Sequence, residues 1–110
     1  MEVVELKLFT NSVKKFLSKD EIKKLSDFLS ENPTTGDLIQ KTGGLRKLRW
    51  GIEGRGKSGG CRVIYYFCNK NFPLLLVFGY AKNVQENLTE KQKKELKNMV
   101  NEILKINKGK

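Results

Sequence analysis

All four arginines of this 110-residue chain, Arg46, Arg49, Arg55 and Arg62, fall within seventeen positions. Together with Lys41, Lys47 and Lys57 they make residues 41–65 a stretch of seven cations against one acid, Glu53. A guanidinium presents a planar fork of donors that matches two phosphate oxygens at once, whereas lysine acts as a point charge. Clustered arginines therefore point to a polyanionic partner. The net charge of +10 has the same sense. Lysines that merely keep a small domain soluble would account for the scattered C-terminal ones, but not for this cluster.

Residues 51–58, GIEGRGKS, fit the nucleotide-cradling pattern G-x-x-x-x-G-K-[ST]. That motif needs a helix directly after the Lys-Ser, whose N-terminal donors complete the cradle. Here Gly59, Gly60 and CRVIYYF come next, a run that favours a strand. Neither VIYYFCN nor LLLVFGYA ends in the aspartate wanted for magnesium. The match is read as a decoy. What remains is a glycine-rich hairpin connection, read either as a flexible link and nothing more or, the favoured reading, as one that lets phosphates approach closely while Arg55 and Lys57 move onto them.

The elements that must position these groups are legible in outline. Val3 to Phe9 suit a short strand, and Asn11 or Ser12 could cap a short helix carrying Val13, Phe16 and Leu17 on one face. Ser18 with Glu21 forms a capping box opening a second helix, striped by Ile22, Leu25, Phe28 and Leu29 and ended by Asn32-Pro33. A polar loop leads on to LRKLRW, where Leu48 and Trp50 face one way while Lys47 and Arg49 face the other. CRVIYYF reads as a central strand, Asn69-Lys70-Asn71 as a turn, and Pro73 to Ala81 as a further buried strand. Thr89 and Gln92 box a last helix with Leu96, Met99, Val100, Ile103 and Leu104 on its apolar side. The expected class is α+β, order β-α-α-β-β-β-α: a helical hairpin and a C-terminal helix on an antiparallel sheet, one domain over residues 1–110. The hairpin connection leaves open the register between strands, and with it the side on which Arg62 lies.

Cys61 and Cys68 stand seven apart, an odd offset that points them to opposite faces of one strand, and no further cysteine or histidine supplies a metal-ligand set. Buried, reduced thiols are expected. The start, MEVVELKLF, is not a signal peptide, and FPLLLVFGYA is too short to span a membrane. The expectation is a soluble cytoplasmic protein with no metal, no cofactor and no membrane partner.

TGGLRKLRW, GRGKSGG, CRVIYYF and YAKN, taken together, resemble the HigB-type toxins of the RelE/ParE superfamily of bacterial toxin–antitoxin modules. The resemblance spans nearly the whole chain, and the element order derived above agrees with the superfamily's fold. It implies a metal-independent endoribonuclease that enters the ribosomal A site and cuts messenger RNA. The RNA's own 2′-hydroxyl attacks the adjacent phosphate, leaving a 2′,3′-cyclic phosphate and a 5′-hydroxyl. On that reading Arg49 and Arg62 stabilise the phosphate, and Lys57 and Lys82 contribute to proton transfer or charge neutralisation. Arg46, Lys47 and Arg55 bind RNA, and Tyr66 or Tyr80 could stack on a base, although buried aromatic core is the expected role for at least one of the two. With no histidine in the chain, a lysine crowded by other cations is the candidate for exchanging a proton, and Lys47, Lys57 and Lys82 all qualify. Some relatives use a tyrosine near the C-terminal end; this chain has none beyond Tyr80. The resemblance also implies a cognate antitoxin, with a helix-turn-helix through which alone the complex would touch operator DNA. Rival readings are a gyrase-inhibiting toxin of the ParE type and a non-catalytic nucleic-acid-binding module.

Overall fold

A computed structural model describes residues 1–51 and 60–108 of the chain. The elements are β1 (Val3–Glu5), α1 (Lys7–Val13), α2 (Lys19–Glu31), β2 (Asp37–Leu38), β3 (Leu45–Trp50), β4 (Cys61–Tyr66), β5 (Leu74–Ala81) and α3 (Glu90–Lys108). The five strands form one mixed sheet in the order β1-β5-β4-β3-β2. The α+β class and the three-stranded antiparallel meander are as expected. The expected first strand, β1, pairs parallel to β5, which makes the sheet mixed and not antiparallel throughout, and one further edge strand, β2, pairs with β3 inside what reads as a polar loop. No helix among the described residues is long and apolar enough to cross a membrane.

The N-terminal boundary differs from expectation. Strand β1 ends at Glu5, and Leu6, extended at φ −74° and ψ 150°, starts α1 without a side-chain cap. Phe9 and Val13, four apart, are fully buried against the sheet. A short apolar run fits either period, and tertiary burial decided for the helix. Ser12 is not a cap. Its hydroxyl donates to Phe9 O at 2.8 Å and accepts from Gly79 N–H at 3.0 Å, tying α1 to β5. Gly79 permits this approach, because a Cβ there would stand 2.4 Å from Val13 Cγ1.

Both capping boxes form. Ser18 Oγ accepts from Glu21 N–H at 3.1 Å while Glu21 Oε1 accepts from Ser18 N–H at 2.9 Å, and Thr89 and Gln92 repeat the exchange at 3.0 and 2.9 Å. Each holds donors that a helix start otherwise leaves unpaired. Helices α1 and α2 bury Phe9, Val13, Leu25 and Leu29 against Val63, Tyr65, Leu74 and Leu76 on one face of the sheet. Helix α3 buries Leu96 and Val100 against Leu45, Ile64, Tyr66, Leu75 and Val77 on the other. Each such apolar side chain contributes about 1.5–3 kcal/mol.

The cysteines differ in part from expectation. Both are free, but β4 stops at Tyr66, so Cys68 lies beyond the strand and is exposed while Cys61 is buried. Burial pushes the Cys61 thiol up to about 11, with the Arg62 charge opposing.

A cationic cavity on the sheet

The register decides what lies where. Leu45↔Tyr66, Lys47↔Ile64 and Arg49↔Arg62 are opposed pairs between β3 and β4, and Arg62↔Tyr80 is a pair between β4 and β5. Lys47, Arg49, Arg62 and Tyr80 therefore share the sheet face on which α3 packs. Leu48 and Trp50 turn to the other face, where Trp50 meets Phe28 of α2 at 5.5 Å between ring centroids. Helix α3 covers only the part of its face around Leu45, Tyr66 and Leu75. The remainder opens into a cavity of about 360 Å³ lined by Asp37, Lys47, Arg49, Arg62, Lys82, Glu86 and Asn87.

Arg62 is the unusual member. It is 7% exposed, and among the described residues its side chain makes one hydrogen bond, a long 3.3 Å donation from Nη1 to Cys61 O. No described carboxylate lies within ion-pair distance of it. Directly opposite across the ladder stands a second guanidinium, Arg49, which is exposed. Like charges opposed on one sheet face repel, and a buried cation without a partner is costly. An anion entering the cavity relieves both. Lys82 joins from the end of β5, its backbone N–H donating to Gly60 O at 3.2 Å. Lys47 Nζ donates to Asn87 Oδ1 at 3.0 Å, which fixes the lysine head over the cavity.

The rim is held by tertiary hydrogen bonds. Tyr80 is 4% exposed, and its hydroxyl donates to Glu86 O at 3.3 Å, anchoring the connection that carries Lys82, Glu86 and Asn87. Burial raises the Tyr80 phenol above its ordinary range while Arg62 pulls it down. Gln85 Nε2 donates to Asn87 O and to Gln92 Oε1, both at 2.9 Å. On the other side Tyr65, on the α1/α2 face, donates to Pro33 O and accepts from Gly36 N–H, both at 2.8 Å. That clamp sets the chain just before Asp37. Only glycine fits beneath it, since a Cβ at Gly36 would meet the Tyr65 ring at 2.8 Å.

Of the nine residues expected at the site, four meet at the cavity: Lys47, Arg49, Arg62 and Lys82. Arg55 and Lys57 lie outside the described residues, as does most of the glycine-rich connection. Past Gly60 the chain enters strand β4 and not a helix, in keeping with the decoy reading. The other three do not line the cavity, and the burial expected for at least one of the two tyrosines is found for both. Arg46 alternates to the opposite face, and its Nη1 donates to Gly36 O at 2.7 Å and Thr34 O at 3.2 Å, so it holds a loop and stays out of the cavity. Tyr66, 6% exposed, lies under α3 with its ring edge-on to Phe72 at 6.2 Å. Tyr80 stands opposite Arg62 across the ladder, 4% exposed, and through its bond to Glu86 O it positions the rim.

Sequence reasoning passed over Asp37, Glu86 and Asn87. A two-residue strand and an irregular connection carry no periodicity, and only the Gly36-Asp37 step hinted at a turn with a carboxylate. The resulting arrangement sets four cations beside two carboxylates in one cavity. It can hold a phosphodiester, stabilise charge on its oxygens and supply a carboxylate to accept a proton. A family model described as the RelE toxin of the RelE / RelB toxin-antitoxin system matches residues 1–110, and the chain belongs to that family.

Proposed function

We propose that the chain is a HigB-type toxin domain that cuts messenger RNA in the ribosomal A site in the cytoplasm. RelE-family toxins are generally endoribonucleases that inhibit translation. The observation that carries the reading is Arg62, buried and unpaired by any described carboxylate, facing Arg49 across the ladder.

In the proposed reaction the 2′-oxygen bonds to phosphorus and the bond from phosphorus to the 5′-oxygen breaks. Arg49 and Arg62 stabilise the charge gathered on the non-bridging oxygens. Lys47 and Asn87 hold the strand at the rim. The 2′-hydroxyl proton passes to a carboxylate of the cavity, Asp37 or Glu86, and Lys82 supplies a proton to the departing 5′-oxygen, with Lys57 as a further candidate for that role. The ribosome supplies the orientation that a domain this small does not. Family membership implies a cognate antitoxin. We take it to carry a helix-turn-helix through which alone the complex touches operator DNA.

The test is brief induced expression in bacteria with mapping of RNA ends. New 5′-hydroxyl ends within codons of translated messages, absent with Arg62→Ala, are expected. A DNA-damage response without new RNA ends would instead indicate a gyrase target, and an Arg62→Ala variant that still cuts would remove the site assignment.

A further inference from the structure

The cavity does not end at its rim. A second depression, of about 430 Å³, shares Asp37, Lys47 and Asn87 with it and adds Leu38, Ile39, Leu88, Glu90 and Lys93. A third, of about 440 Å³, shares Glu90 and Lys93 with the second and adds Gln40, Lys41, Lys94 and Lys97. The three adjoin through shared lining residues, a row of depressions, or trench, that leaves the cavity, passes the start of α3 and ends among four lysines. Glu90 is the one carboxylate at that end, and it is engaged by Lys93 at 3.1 Å.

Two features set the trench apart from scattered surface charge. Its middle has an apolar floor, with Leu38 61% exposed beside Ile39, where an unpaired base can rest while phosphates meet the lysines. Its far wall includes Lys41 at φ 65°, a left-handed conformation that residues with a Cβ seldom adopt. Gly43 and Gly44 take positive φ in the same loop, yet a lysine occupies this strained position at the trench end.

We infer that this trench binds the single-stranded RNA that runs on from the scissile phosphate, with Lys94, Lys97 and Lys41 taking backbone phosphates. The inference rests on reading the cavity as the phosphate site.

The test uses fully 2′-O-methylated oligoribonucleotides, whose blocked 2′-oxygen cannot attack, in fluorescence anisotropy over a salt series. Trimers and nonamers are compared for the wild-type chain, for Lys94→Gln/Lys97→Gln, and for Lys41→Asn, since asparagine tolerates the left-handed region. The wild type is expected to bind the nonamer at least about tenfold more tightly than the trimer. The double variant should lose that gain, and its slope of log K against log salt should fall by about 0.7 for each phosphate given up, roughly 1.4 in all. Lys41→Asn should show about half that change. Arg62→Ala should weaken both lengths alike. Unchanged length dependence and salt slope in the trench variants overturn the inference, as does a nine-pair duplex that profits from the trench as much as the single strand does. Because this readout needs no cleavage, a chain that cuts no RNA in cells but shows the length gain would fail the proposed function and keep the trench.

Discussion

Arg46 and Arg49 stand three residues apart on one strand and do opposite work. Arg46 faces α1 and α2, where its guanidinium satisfies the carbonyls of Thr34 and Gly36. Arg49 faces the half of the sheet that α3 leaves open, opposite the buried Arg62. The pleat alone separates them, so residue type and local charge density do not identify a functional cation. What its face is covered by does.

The comparison can be broken by substituting each arginine in turn. Arg49→Ala should lower RNA cleavage by about 10²–10³-fold, the usual loss when one preplaced donor to a charged transition state is removed, with an unchanged melting temperature. Tyr65→Phe should destabilise the chain by about 1–3 kcal/mol in urea unfolding, because it leaves the buried Gly36 N–H unpaired. It should also blunt activity through Asp37, next in the chain after that clamp. Arg46→Ala should cost about 1 kcal/mol of stability, read as a drop of roughly 4–8 °C in Tm, and leave the affinity for RNA unchanged. If Arg46→Ala weakens RNA binding and Arg49→Ala melts early, the two faces have been assigned the wrong way round.

The smallest effect concerns pH. Cys61 and Tyr66 have folded pKa values raised by burial, to about 11 and about 12. Each neutral form is favoured in the folded chain, so their contribution is complete below the unfolded values near 9 and 10 and is lost as pH rises through the folded ones. Stability should be flat on their account up to about pH 9 and fall between there and pH 12, with denaturant midpoints as the measure. Cys61→Ala should flatten the lower part of that fall.

The elements with strong local signals were legible in the sequence. Capping boxes at Ser18 and Thr89 act within four residues, and the alternation of LRKLRW states which side chains share a face. Less legible was anything set by contacts distant in the chain. The Arg49–Arg62 pairing depends on a strand register that the sequence leaves open. Asp37 enters the site because Tyr65, 28 residues further on, clamps the loop before it. The sequence left open which of Tyr66 and Tyr80 would be core and which could stack on a base, because burial under α3 and the hydroxyl bond to Glu86 O are tertiary facts.

Ile64 pairs with Phe78 while the next residue, Tyr65, pairs with Leu76, so Val77 is supernumerary in β5. Leu76 and Tyr80 stand an even number of residues apart, yet Leu76 joins the core beneath α1 and α2 and Tyr80 joins the opposite one. One added residue thus inverts the inside–outside phase of a strand midway along its length. Under unbroken parity, Phe78 would be thrust at Val13, where a glycine alone has room, and Tyr80 would turn its back on Arg62. The phase inversion is what allows one strand to roof the helical hairpin with leucines and still end among cations.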